Sequence, residues 1–181
     1  VVGVEIYAIE RAYQLIAQHL PNQGENMTVA IVDIGNEMST ISVLCSGRTI
    51  YMRDEVFGGH QLTKMIMQHY SISEQEAEKS KCNNSLPANY QREVLEPFQQ
   101  DLLQQVNRAL QFFNTSDQHR AIDMILLAGG CSKIAGFIEQ VAKVTNTKTM
   151  IANPMKGLQI SEKIDKDSLL EQGPQLLVAC G

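Results

Sequence analysis

The amino-acid sequence predicts an α/β domain. Two almost wholly apolar runs, Met27–Ile34 and Ile122–Ala128, have the length and composition of strands covered on both faces. Between them, Ser39–Cys45 and Arg48–Phe57 are joined by a Ser-Gly turn, a pattern typical of a β-hairpin. Tyr90–Phe113 carries apolar residues at helical spacing. These patterns together predict a domain that contains both strands and helices.

The first half of the chain divides into elements at its glycines and prolines. Glu5–Leu20 has helical spacing, and the Pro21–Gly24 turn ends it. The hairpin and the strand before it are expected to form a three-stranded meander, with a glycine turn after Asp33. Gly58-Gly59 breaks the sheet, and His60–Tyr70 is predicted to be a helix.

Capping and proline signals organise the middle of the chain. Ser73 followed by Glu76 is a capping-box pattern, which predicts a short helix through about Lys81. Pro97 lies near the start of the long helix, so it marks either a first turn or a kink.

The last third of the chain follows the second apolar strand. That strand ends in Gly129-Gly130, after which we expect a helix over Ser132–Val144 and a short strand over Lys148–Ile151. The last predicted helix starts at Leu169.

Composition excludes several classes of function. The net charge of −5 and the scattered basic residues argue against a nucleic-acid partner. No apolar run approaches the ~20 residues needed to cross a bilayer, so no direct membrane span is predicted. The four cysteines are far apart and lack CxxC spacing, which argues against a metal site built from them.

The first motif with chemical meaning runs from Asp33 to Thr40. An apolar strand ends in Asp33, and Gly35 lets the following turn bring backbone N–H groups close to phosphate oxygens. The Asp33 carboxylate can hold Mg²⁺ through water or orient an attacking water. A plain β-turn with Asp and Gly as turn formers explains the same residues, and both interpretations stay open here.

Two further motifs are weaker when taken alone. Gly129-Gly130 followed by Ser132 places a strand end against a predicted helix N-terminus, where an anionic or flat group can approach the backbone. A helix N-cap at Ser132, with glycines for close packing, is the structural alternative. Glu78 and Lys81 are suited to contacts with adenine and ribose, but mixed charges on a short helix more often form a solvated face.

In this order the three motifs resemble the sugar kinase/Hsp70/actin superfamily over nearly the whole chain. Asp33–Thr40 resembles its second phosphate motif, Leu126–Ile134 its adenosine motif, and Glu78 with Lys81 the Glu-x-x-Lys of its adenine-flanking helix. Within that superfamily the chain is most similar to the PilM family of type IV pilus proteins, and the cell-division protein FtsA is the next nearest. The stretches that carry the similarity to PilM are Tyr7–Tyr13, Phe57–Thr63, Glu76–Lys79, Arg108–Phe113 and Asp123–Gly130 with Ala152–Pro154.

The resemblance implies an RNase H-like lobe of the actin/Hsp70 ATPase fold, with a mixed sheet and flanking helices. Residues 1–57 and 93–181 would form this second lobe, and residues 58–92 a small inserted helical subdomain on the adenine side. The chain would be a fragment of a longer protein that lacks the first lobe.

The resemblance also implies ATP and Mg²⁺ as cofactors, with Asp33 as the catalytic and metal-organising residue, acting on Mg²⁺ through water. The residues that would bind the cofactors are Asp33, Gly35, Asn36, Glu37, Met38, Ser39, Glu78, Lys81, Gly129, Gly130, Cys131 and Lys133.

The implied role is an ATP-binding scaffold of type IV pilus assembly that couples nucleotide state to partner binding, with weak hydrolysis at most. The implied partners are the cytoplasmic N-terminal segment of PilN and other inner-membrane pilus proteins, met mostly through the first lobe, and a homodimer is possible. The implied location is the cytoplasm, peripheral to the bacterial inner membrane. Two alternatives remain: an FtsA-like polymerising, membrane-associated protein, and an active ATPase or kinase of the same superfamily.

Overall fold

The computed structural model describes residues 2–83, 85–116, 120–159, 161 and 165–181. Five strands and six α-helices are connected by shorter 3₁₀ and π-helical turns within these residues. The strands are β1 Thr28–Ile34, β2 Ser39–Cys45, β3 Arg48–Glu55, β4 Met124–Gly129 and β5 Lys148–Ile151. The helices are α1 Val2–Ala17, α2 Gly59–Tyr70, α3 Glu74–Cys82, α4 Glu96–Ser116, α5 Phe137–Thr145 and α6 Lys166–Gln172.

The five strands form one mixed sheet in the order β3-β2-β1-β4-β5. The meander β1-β2-β3 is antiparallel, whereas β4 pairs in parallel with β1 on one side and with β5 on the other. The α/β fold class and the mixed sheet are therefore confirmed. Strand β1 lies at the centre, where the order of the strands reverses.

Alternation along β1 sends its side chains into two separate hydrophobic clusters. Ala30, Val32 and Ile34 pack with α2, α4 and α5 on one face. Val29 and Ile31 pack with α1 on the other face. This explains why β1 is apolar at five of its seven positions, since a central strand with helices on both faces has no side facing water.

Three predicted helix boundaries are wrong. The helix predicted to start at Ser132 begins only at Phe137, after a 3₁₀ turn over Gly130–Lys133 and a left-handed Gly136. The helix predicted from Leu169 onward covers Lys166–Gln172, and Gly173-Pro174 ends it. Helix α1 stops at Ala17, three residues before the predicted end. At α5 the apolar spacing begins before the left-handed Gly136, and at α6 the Asp165 cap starts the helix earlier than the apolar spacing does.

The capping signals are confirmed. The Ser73 side chain accepts a hydrogen bond from the backbone of Glu76, whose side chain accepts one from the backbone of Ser73, which closes the capping box of α3. Pro97 is the second residue of α4, and this helix directly follows a π-helical turn over Gln91–Leu95. Because proline has no N–H to donate, the hydrogen-bond register can change here with little further loss.

Helices α2 and α3 share the core of the sheet. Leu62, Ile66 and Ala77 belong to the same buried cluster as β1 and α4. The division into a lobe and an inserted subdomain over 58–92 stays a prediction, although these packed side chains hold α2 and α3 against the sheet.

Among the described residues, no helix is both long and apolar enough to span a bilayer.

Candidate functional site

A cleft of about 820 Å³ opens at the carboxyl ends of β1 and β4. These strands are parallel neighbours, with Ile34 beside Gly129, and the sheet order reverses between them. In open α/β sheets, ligands bind outside the carboxyl ends of the strands at such a reversal. The cleft is therefore the candidate binding site of the chain. Its predicted site residues are Asp33, Gly35, Asn36, Lys81, Gly129, Gly130, Cys131 and Lys133.

The turn after β1 is held closed by its own backbone. The Gly35 N–H donates to the Met38 carbonyl at 3.0 Å, and a Cβ at position 35 would lie 2.6 Å from that carbonyl oxygen. Glycine is thus required at position 35 for the turn to close. The turn presents Asp33 and Asn36 to the cleft.

The start of α2 clamps this turn from the opposite side. Gly59 N donates to the Gly35 carbonyl at 3.0 Å, and His60 N donates to the Asn36 carbonyl at 2.9 Å. A Cβ at Gly58 would overlap with both carbonyl oxygens. The Gly58-Gly59 pair, which the sequence indicated only as the end of the sheet, thus lets α2 reach the turn.

The second wall begins at the end of β4. Gly129 has a φ of +80°, and a Cβ there would overlap with the backbone of Ile34, so only glycine fits. At Gly130 an added Cβ would meet no atom within 4 Å. Gly130 is thus an open shelf of the cleft, whereas Gly129 is needed for the strands to approach.

The expected helix N-terminus is absent from this wall. The Ser132 hydroxyl does not cap a helix but donates to the Gly129 carbonyl at 2.7 Å. The 3₁₀ turn over Gly130–Lys133 precedes Ile134 and Ala135, which also line the cleft. A ligand can therefore approach the backbone at Gly130, as expected. The N-terminus of α5, with its positive end of the helix dipole, lies seven residues further along the chain, at Phe137.

Helix α3 contributes one cation to the cleft. Lys81 lines it, and its ammonium donates to Glu78 Oε1 and to the Thr63 hydroxyl, both at 2.8 Å. Burial tends to raise the pKa of Glu78, but the hydrogen bonds from Lys81 and Thr63 outweigh this and lower it. Glu78 is therefore an ionised partner of Lys81 and does not itself line the cleft.

Tyr90 and Leu95 complete the apolar side of the cleft. Tyr90 directly precedes the π-helical turn and Leu95 is its last residue, whereas Val94 of the same turn points into the core. Sequence reasoning missed both residues because a π-helical turn displaces side chains from the faces that a 3.6-residue period predicts. Pro97, just beyond the turn, was the only local signal.

Four of the residues predicted to bind the cofactors do not line the cleft. Glu37 and Met38 are exposed on the turn, with Met38 46% accessible. Ser39 is buried and donates its hydroxyl to the Phe57 carbonyl at 2.6 Å. Glu78, as described, contacts Thr63 and Lys81. Binding roles for these four residues stay predictions.

The carboxyl group of Asp33 is the most perturbed acid of the cleft. Burial, and to a smaller extent the charge of Glu5, raise its pKa from 3.8 to about 6. No hydrogen bond from a described residue contributes to this shift. A half-buried carboxylate without a partner is suited to a cation or a water-linked metal ion.

Cys131 is a second buried titratable group of the cleft, and unlike Asp33 it is uncharged at neutral pH. Burial raises the pKa of its thiol to about 11, although the nearby Lys81 charge acts in the opposite direction. The thiol therefore stays protonated at neutral pH and behaves as a small apolar group rather than a nucleophile.

Metal binding by protein groups alone is not indicated in the described residues, where no three His, Cys, Asp or Glu side chains come close enough to hold an ion. A single carboxylate at the edge of this cleft fits Mg²⁺ that is shared with a bound phosphate and waters. Asp33 is the residue that would hold it.

The mixed sheet with its flanking helices is the actin-like ATPase fold. The profile of the type IV pilus assembly protein PilM family matches residues 1–181, and the chain belongs to this family.

Three solved structures share the fold of this chain. The PilM–PilN type IV pilus biogenesis complex matches at a TM-score of 0.77 and 20% identity, over 97% of this chain and 48% of that chain. The ethanolamine utilization protein EutJ from Carboxydothermus hydrogenoformans matches at 0.61 and 20% identity, over 93% and 50%. MreB 5 of Spiroplasma citri bound to AMPPNP matches at 0.59 and 15% identity, over 94% and 56%. The chain thus spans about half the length of these proteins.

The raised pKa of Asp33 predicts a pH-dependent stability. The folded chain binds this proton more tightly than the unfolded chain, so the free energy of unfolding falls as pH rises from 3.8 to about 6 and then levels off. Asp33→Asn removes this loss, and urea unfolding at pH 7.5 is expected to show a gain of about 3 kcal/mol, since one pKa unit corresponds to about 1.4 kcal/mol. Asp101→Asn, at an exposed carboxylate on α4, is the matched control. Parallel pH profiles for wild type and Asp33→Asn would contradict the burial of this charge.

Proposed function

We propose that the chain forms the ATP-binding half of an actin-like scaffold of type IV pilus assembly. The observation that carries the proposal is the meeting of the Asp33 turn, the Gly130 shelf and Lys81 around one cleft. Nucleotide would bias the closure of two lobes, and partner proteins would respond to that closure.

The phosphate side of the proposed site is the turn after β1. Gly35 allows the close backbone approach that phosphate oxygens require, and the N–H groups at the start of α2 keep the turn in shape. Asp33 would hold Mg²⁺ through water, which supplies charge neutralisation for the phosphates. Burial raises the pKa of Asp33 to about 6. A bound cation would act in the opposite direction, because an opposite charge favours the ionised carboxylate.

The base side of the proposed site lies between the Gly130 shelf and the π-helical turn. Tyr90 supplies a flat half-buried ring, Leu95 and Ile134 add apolar surface, and Lys81 offers a donor for a ribose or phosphate oxygen. This mixture of apolar walls and few polar groups suits a nucleoside.

Partner binding is proposed from the family. One relative of the same fold is described as a PilM–PilN complex, and the matched part of that chain is about half of its length. A PilN-like cytoplasmic segment is therefore the expected partner, with location at the cytoplasmic face of the inner membrane. Homodimer formation and further pilus partners stay predictions.

The Gly130 shelf gives a direct test of nucleotide binding. Gly130→Val is expected to lower the ATP affinity of the gene product at least about tenfold, because its side chain enters the cleft and meets no atom of the fold. Calorimetric titration with MgATP measures the effect, and Gly130→Ala is expected to fall between Val and wild type. Unchanged ATP affinity for Gly130→Val would contradict this site.

Tyr90 tests the base side separately. Tyr90→Ala is expected to weaken ATP about tenfold through lost stacking, while Tyr90→Phe keeps the affinity because the ring does the stacking. Affinity for inorganic tripolyphosphate is expected to stay the same in both variants. Tyr7→Ala, at a tyrosine on α1 that is 64% exposed, is the control. An equal loss of ATP and tripolyphosphate affinity would place Tyr90 in a different role.

Turnover separates a scaffold from an enzyme. Phosphate release by the full gene product is expected to remain below ~1 s⁻¹, the lower end of ordinary enzyme rates. A faster rate would favour the ATPase or kinase alternative. Sedimentable filaments formed with ATP would favour the FtsA-like alternative.

A further inference from the structure

Thr63 is a polar side chain with no exposed surface, in the middle of the buried face of α2. At the start of the same helix, the backbone N–H of His60 donates to the Asn36 carbonyl of the turn after β1, and the backbone N–H of Gly59 donates to the Gly35 carbonyl. A hydroxyl at this core position, between Leu62 and Ile66, does not line the cleft and has another reason to be there.

The hydroxyl of Thr63 has three neighbours and one proton. It donates to Glu78 Oε1, accepts from Lys81 Nζ at 2.8 Å, and lies 3.4 Å from the Gly59 carbonyl. Because a carboxylate is the stronger acceptor, the proton goes to Glu78, and the Gly59 contact remains at the limit of a hydrogen bond. Lys81 also donates to the same Glu78 oxygen, which closes a ring of three groups.

This ring fixes the one cation that α3 brings to the cleft. A lysine ammonium has three N–H donors, and the ring uses two of them, so one is left for a ligand. A free lysine side chain loses considerable rotamer freedom on binding, and holding it beforehand removes that cost. Glu78 does not line the cleft and Thr63 is buried, so Lys81 is the cleft-lining member of the ring that both of them hold.

We propose that Thr63 is a positioning residue of the cleft, which holds the Lys81 ammonium so that its remaining N–H meets a hydroxyl or phosphate oxygen of the bound nucleotide. The ligand named here rests on the proposed function, whereas the constraint on Lys81 does not. In a purely structural role, the Thr63 hydroxyl would only find hydrogen-bond partners within the core. Such a role predicts that replacing Thr63 changes neither the reactivity of Lys81 nor its contribution to ligand affinity.

The first experiment needs no ligand. Amines of the native gene product are acetylated with N-hydroxysuccinimide acetate, and the rate at Lys81 is measured by mass spectrometry relative to Lys79, an exposed lysine of the same helix. The isosteric Thr63→Val is expected to raise this ratio about fivefold, the change that loss of one ordinary hydrogen bond gives. Thr63→Ser, which keeps the hydroxyl, is expected to restore the wild-type ratio.

The second experiment is a double-mutant cycle on MgATP affinity. Thr63→Val is expected to weaken MgATP about fivefold in the wild-type background and to have no effect in a Lys81→Met background, because Thr63 acts through Lys81. Thr149→Val, at a hydroxyl on β5 that donates to the Thr147 carbonyl, is the matched control and keeps wild-type affinity. Circular dichroism and thermal unfolding establish that each variant is folded.

The outcomes separate the two proposals. A Thr63→Val variant that leaves Lys81 acetylation unchanged, or losses of affinity that add fully in the double variant, would overturn the role of Thr63. If wild type does not bind MgATP, the proposed function fails, and the acetylation ratio alone decides whether Thr63 positions Lys81.

Discussion

The close pairing of β1 and β4 at their carboxyl ends is the constraint on which the site depends. The Gly129 backbone lies against the backbone of Ile34, in a conformation and at an approach that exclude a side chain. Because the two strands are parallel, their ends reach the same edge of the sheet, and the loops that follow both line the cleft. A wider separation here would pull the Asp33 turn away from the Gly130 shelf.

Helix α2 is the second support, since it contacts both the turn and α3. Its first backbone N–H groups hold the carbonyls of Gly35 and Asn36, and Thr63, one turn further on, holds Glu78 and Lys81. The apolar residues of α2 pack into the same cluster as β1 and α4. The cleft is thus lined by loops and helix ends, but a continuous core fixes their positions.

Asp33 shows the cost that a binding site imposes on a fold. This half-buried carboxyl group, which accepts no hydrogen bond from the residues that the structure describes and has its pKa raised to about 6, destabilises the folded chain at neutral pH. Such local conflicts with the rules of folding are expected at functional sites, where a ligand supplies the missing partner. The surrounding apolar strand and the closed turn hold the carboxyl group in place despite this cost.

The sequence by itself determined the strands, the capping box of α3 and the glycine-bearing ends of β1 and β4, because these depend on local periodicity and on turn chemistry. It also predicted the eight site residues that line the cleft. It misplaced the start of α5, since apolar spacing does not reveal a 3₁₀ turn before Gly136. Only the tertiary structure decided that Tyr90 and Thr63 belong to the cleft and its support, because their roles arise from a π-helical turn and from contacts between separate helices.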